Sequence, residues 1–152
     1  MEPVEEALEL FRQGFNCAQS VVGALGPSCG LDRETCLRIA APFGGGLGRR
    51  GETCGALAGA LMVVGLALGE ADPSPEAKDR GYAPAARLVE RFRAAHGSLA
   101  CRDLAGCDMS TPEGLQAYRD RDLHHTLCPR FVGDAVRWAE EELTRRTRPQ
   151  PG

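Results

Sequence analysis

Positive charge, long apolar runs and the usual paired-cysteine spacings are all in short supply in this chain, and each shortage removes a class of protein. Its 18 lysines and arginines are outnumbered by 21 aspartates and glutamates, for a net charge of −3. That balance argues against a basic nucleic-acid binder. Lysine occurs only at Lys78, a bias of composition that says little about chemistry. The most apolar stretch without charge, Thr53 to Gly69, would reach about 25 Å as a helix, short of a hydrocarbon core of roughly 30 Å. No membrane partner is expected. The N-terminus, Met1-Glu2-Pro3-Val4-Glu5-Glu6, is acidic and has neither the basic nor the apolar region of a signal peptide. The expectation is therefore a cytoplasmic protein, in a reducing compartment where structural disulfides are rare. No Cys-x-x-Cys pair occurs, which argues against thioredoxin-like and zinc-ribbon sites, and the absence of Cys-x-x-Cys-His excludes covalent haem attachment. No segment sustains period-two alternation, so no strands are expected.

What is present is a globular composition, 43% hydrophobic and 26% charged over 152 residues, with 19 glycines and seven cysteines, at 17, 29, 36, 54, 101, 107 and 128. Val4, Ala7, Leu8 and Phe11 recur at helical spacing and predict a first amphipathic helix ending at Gly14. Asn16 is a good cap for a second, and Gly26-Pro27 stops it. Asp32 caps a third, which runs to Phe43. A loop too rich in glycine for helix or strand follows, Gly44 to Gly51. Thr53 is the expected cap of a central apolar helix, Cys54 to about Leu68, in which Gly55, Gly59 and Gly65 make a narrow side for a neighbouring helix or subunit. A long helix to Gly97, with Gly81 and Pro84 as bending points, a cysteine-bearing connection over 98–112, a short helix from Thr111-Pro112 and a last one from Pro129 complete the chain. The predicted class is all-α, a single-domain bundle of about five to six helices over 1–146 with a buried Gly/Ala-rich central helix. A disordered tail is expected over 147–152.

Three cysteines share one local setting. Cys17 follows Asn16, Cys54 follows Thr53 and Cys128 precedes Pro129, so each stands at a helix start, beside free backbone N–H groups and the positive end of a helix dipole. That setting favours thiolate over thiol. Helical spacing turns Cys17 toward Val21 and Leu25, Cys54 toward Leu57, and Cys128 toward Val132 and Ala135, so three inward thiols can meet at one end of the bundle. Cys101 and Cys107, on the connection, are candidates to join them. Cys29 and Cys36 read as packing residues. His124 and His125 lie close enough to Cys128 to ligate metal or protonate a thiolate, although a solvent-facing turn is the simpler reading. Gly44, Gly45 and Gly46 are expected to aim backbone N–H groups at sulfur; without a Gly-Lys-Ser/Thr ending the loop does not read as a phosphate loop. Arg49 and Arg50 are placed to lower the pKa of Cys54, or are merely solvated.

The segments Gly14-Phe15-Asn16-Cys17-Ala18-Gln19-Ser20-Val21, Phe43-Gly44-Gly45-Gly46 through Gly51-Glu52-Thr53-Cys54-Gly55-Ala56-Leu57-Ala58-Gly59-Ala60, Cys101 to Asp108 and Cys128-Pro129-Arg130-Phe131-Val132 together resemble the C_GCAxxG_C_C family of redox-active proteins. The family's name spells Gly-Cys-Ala-x-x-Gly, whereas this chain reads Cys54-Gly55-Ala56-Leu57-Ala58-Gly59, which shifts the match by a position. The resemblance implies a small helical protein dependent on Cys17, Cys54, Cys107 and Cys128, with Cys101 competing for the third place. It also implies kinship with a domain of the split-Soret cytochromes that accompanies an iron–sulfur centre; their haem-binding part has no counterpart here. Three functions are expected, in order. The first is an iron–sulfur cluster, of the [2Fe-2S] kind, or another metal, held by thiolates from among Cys17, Cys54, Cys101, Cys107 and Cys128 for exchange with an unknown redox partner. The second is thiol–disulfide chemistry with Cys54 as nucleophile and Cys17 or Cys128 resolving. The third is a homodimeric structural module packed through Gly55 and Gly59, with structural metal.

Overall fold

The computed structural model describes residues 1–145 of the chain; residue 146 and the expected tail over 147–152 lie outside the described residues. Nine α-helices are present among them: α1 (Pro3–Arg12), α2 (Cys17–Leu25), α3 (Arg33–Ala40), α4 (Gly55–Leu68), α5 (Pro75–His96), α6 (Cys101–Ala105), α7 (Pro112–Asp120), α8 (Leu123–Thr126) and α9 (Cys128–Arg145). The class is all-α, as expected, with more helices than the predicted five to six. The excess lies mostly between α5 and α9, where α6 and α8 have five and four residues and are too short to show a helical period in sequence.

Local chemistry sets most boundaries. Asn16 accepts from the Gln19 N–H while the Gln19 side chain accepts from the Asn16 N–H, a complete capping box at the start of α2. Asp32, Ser74 and Thr111 cap α3, α5 and α7 through their side-chain oxygens. The expected cap at Thr53 is not formed. Cys54 occupies the N-cap of α4, without a side-chain cap bond, and Thr53 instead forms an antiparallel bridge with Ala100. The Cys54 N–H donates to the Leu99 carbonyl at 2.7 Å and the Cys101 N–H to the Glu52 carbonyl at 2.6 Å. The start of α6 is thereby tied to the start of α4. α5 is a single helix through Gly81 and Pro84.

The core gathers the inner faces of α1, α2, α4 and α9, with Val21, Leu57, Val63, Val132 and Val136 essentially inaccessible. Phe92 of α5 closes it against Phe131 and Trp138. On the outside, Arg87 grips the buried Glu142 carboxylate at 2.8–3.1 Å and ties α5 to α9. The glycine side of α4 meets its own chain. A Cβ at Gly55 would stand 2.5 Å from Cys17 Sγ and 2.6 Å from the Phe43 carbonyl, and one at Gly59 would stand 3.0 Å from the Ala18 carbonyl. Those two glycines bring α4 against α2 and are covered within the subunit, so they are not a surface for a second copy. Gly65, in contrast, faces open space. No helix among the described residues is long and apolar enough to cross a membrane.

Gly55→Ala is expected to destabilise the protein by about 1–3 kcal/mol through overpacking, despite the better helix propensity of alanine. Gly65→Ala, on the same helix, should stabilise by roughly 0.5–1 kcal/mol because nothing is displaced. Chemical denaturation of the two variants side by side checks both signs.

Candidate functional site

Four of the seven cysteines surround one small cavity. Cys17 is the first residue of α2, Cys54 the N-cap of α4, Cys101 the first residue of α6 and Cys128 the first residue of α9. All four line a small space of about 70 Å³. Phe11, Leu104, Met109 and Phe131 supply its apolar walls, and Tyr118 and His124 its polar ones. The helix-start setting expected of three cysteines therefore holds for a fourth. Of the two candidates on the connection, Cys101 lines the cavity. Cys107 lies just past the left-handed Gly106 that ends α6; it is near enough to act electrostatically on Cys101 and Cys128 but does not line the cavity. Cys29 and Cys36 lie elsewhere, and Cys36 is fully buried with its thiol directed at the Leu31 carbonyl. All seven are free thiols.

The glycine loop supports the site in an uneven way. The Gly45 N–H is directed at the Cys17 sulfur, as expected of this loop. Gly44 packs on the Asn16 side chain, and Gly46 (φ 70°) lies where a Cβ would meet Cys101 Cβ at 2.6 Å, so these two admit neighbours and do not bind them. Downstream, the Gly48, Arg49, Gly51 and Glu52 N–H groups donate to the carbonyls of Pro42, Gly44, Gly45 and Gly46. That part of the loop's donor capacity is used within the loop, and no phosphate cradle forms.

Charge is distributed over the thiols just as unevenly. Cys54 donates a hydrogen bond to Cys17, and together with the N–H groups of Ala18, Cys17 and Gly45 this lowers the Cys17 pKa to about 7 against the cost of burial. Cys54, as the donor to that thiolate and buried beside its charge, is pushed well above the ordinary thiol value. Burial, then the field of Cys17 and Cys128, raises Cys101 to about 12. Cys128 rises to about 11 through burial, although the Tyr118 hydroxyl donates to its sulfur at 3.3 Å. Burial and the adjacent sulfur raise Tyr118 in turn. The thiolate expected at Cys54 thus resides on Cys17, because the proton of the pair stays on the sulfur that donates. Neither Arg49 nor Arg50 is among the groups that shift Cys54.

The two histidines part company. His124 faces the cavity, stacked on Phe11 with ring centroids 3.8 Å apart, and its Nε2–H donates to the Phe11 carbonyl at 2.9 Å. That nitrogen is spoken for. His125 is exposed and pairs with Asp122 at 2.7 Å. Tyr118 is the site residue that sequence reasoning missed, since nothing around one of two tyrosines distinguishes it. Cys101 was a candidate from the sequence only as one of two cysteines on the connection over 98–112, because α6 is too short to be seen there. Among the described residues, no group of three or more His, Cys, Asp or Glu side chains is gathered tightly enough about one point to hold a single ion.

A family model described as a putative redox-active protein, C_GCAxxG_C_C, matches residues 15–142. The chain belongs to that family. The match runs from just before Cys17 to just short of the end of α9, so it takes in all four cavity cysteines of this C_GCAxxG_C_C protein. No curated protein and no solved structure matches the chain.

Alkylation of Cys17 should rise with pH to half its maximum near pH 7, because the thiolate is the reactive form and its pKa is depressed. Cys54→Ala removes the donor and should return that midpoint toward the free-thiol value of about 8.5. Mass-resolved iodoacetamide labelling against pH reads both.

Proposed function

We propose that Cys17, Cys54, Cys101 and Cys128 together hold an iron–sulfur cluster of the two-iron kind, through which the protein exchanges electrons with a redox partner. The observation that carries this reading is the convergence of four thiols, from four separate helix starts, on one small cavity. The chain's own residues also suit such a group. The Gly45 N–H and the Tyr118 hydroxyl point at ligand sulfurs, and hydrogen bonds of this kind raise a cluster's reduction potential. Phe11, Leu104, Met109 and Phe131 limit water. When bound, the cluster would supply one-electron chemistry; the protein would supply thiolates, fixed N–H donors and a low-dielectric wall.

One specific contact favours a second reading. Cys17 and Cys54 are hydrogen-bonded to each other, the arrangement of a dithiol couple. In that chemistry the Cys17 thiolate attacks a substrate disulfide and displaces one thiolate. Cys54 then loses its proton and attacks the Cys17 sulfur, releasing the second thiol and leaving a Cys17–Cys54 disulfide. The two electrons lost by the pair reduce the substrate, and a thiol reductant restores the pair.

Anaerobic reconstitution with iron and sulfide separates the readings. The first expects brown protein with visible charge-transfer absorption, lost in each of Cys17→Ser, Cys54→Ser, Cys101→Ser and Cys128→Ser and kept in Cys29→Ser, Cys36→Ser and Cys107→Ser. Tyr118→Phe should keep the colour and lower the reduction potential, since one hydrogen bond to sulfur is lost. Colourless, iron-free protein that forms a Cys17–Cys54 disulfide with a model disulfide would select the second reading.

A further inference from the structure

Behind one wall of the cysteine cavity lies a larger, open cleft of about 460 Å³, between the glycine loop and α7. The two spaces share Asn16, Gly45, Met109, Tyr118 and His124, so anything in the cleft stands one side chain away from the thiols. Its volume falls within the usual range of a small-molecule site.

The charge of the cleft is opposite to that of the protein. Although the chain carries a net charge of −3, no aspartate or glutamate lines this space, and Arg49 and Arg119 do. Nine other arginines form ion pairs with carboxylates. Among the described residues these two form none, as is also true of Arg50, Arg93, Arg121 and Arg130; what sets them apart is that both line this cleft. Arg49 is moreover held at φ 62°, a backbone that L residues seldom adopt and that tends to be kept where it serves a site. The two guanidiniums enter from different elements, the loop and α7, which suits a ligand with two separate anionic groups. With the N–H groups of Gly48, Arg49 and Gly51 turned back onto the loop, the anion-binding donors the cleft offers are planar guanidinium forks. Those match carboxylate and phosphate geometry alike, and two of them on separate elements suit two single anionic groups, as in a dicarboxylate, better than one compact phosphate.

We propose that this cleft binds a small dicarboxylate, held by Arg49 and Arg119 against the wall it shares with the four cysteines. Its place as a reactant or effector of the redox centre rests on the function proposed above; its binding does not.

Calorimetric titration of the full chain with malonate, succinate and glutarate tests the proposal, with inorganic phosphate and succinamide as comparison probes. Saturable binding of one dicarboxylate per chain is expected, weakened about tenfold or more by Arg49→Gln or Arg119→Gln and unchanged by Arg93→Gln on α5. Arg49→Gly, which relieves the left-handed backbone, removes the same guanidinium if the glutamine variant misfolds. The proposal is overturned by absence of saturable binding, by equal affinity in the arginine variants, or by phosphate or succinamide binding as tightly as the dicarboxylates. Because the titration is run on cluster-free and on reconstituted protein, failure of the cluster to assemble would leave this result readable by itself.

Discussion

The approach of α2 to α4 is the constraint on which the rest of the site depends. Without a side chain at Gly55, the start of α4 lies directly against Cys17 Sγ and the Phe43 carbonyl. That places two helix N-termini side by side, an arrangement their dipoles oppose unless negative charge lies between them. The thiolate shared by Cys17 and Cys54 supplies it. The bridge between Thr53 and Ala100 then brings α6 to the same place, and α9, packed along α4 and α1, delivers Cys128 from the other side. Four sulfurs meet because small residues allow two helices to touch.

Electrostatics shapes what such a cluster of thiols does by itself. The protein's own N–H groups support one negative charge, on Cys17, and the remaining sulfurs keep their protons in response to burial and to that charge. A cation inside the cavity would reverse this balance, since it would stabilise each thiolate at once. On the proposed function the same residues would then act as four ligands; without it they are a single nucleophile with a neighbour.

How much of this was legible in the sequence depends on length scale. Asn16 announced α2, apolar periodicity announced α1, an uncharged apolar run announced α4 and Pro129 announced α9. Helix-start chemistry pointed to Cys17, Cys54 and Cys128 before any packing was known, and family resemblance joined them into one site. What escaped was set by contacts distant in the chain. Thr53 looks like a cap, but Ala100 claims its backbone. Cys101 and Cys107 share one short connection, and only the docking of Ala100 and Cys101 on residues 52–53 decides between them. Tyr118 reaches Cys128 from a different helix, and a left-handed Asp122 between α7 and α8 helps set that approach.

The four cavity cysteines are spread from residue 17 to residue 128, on elements that become neighbours only when the chain has folded. A group that joined them, as proposed, would close several long loops at once and so act as a staple on the unfolded ensemble. The spread of the cysteines also imposes an order of events. Without α9 the chain holds three of the four cavity cysteines, Cys17, Cys54 and Cys101, so a group that needs all four would be loaded only after the last helix has docked.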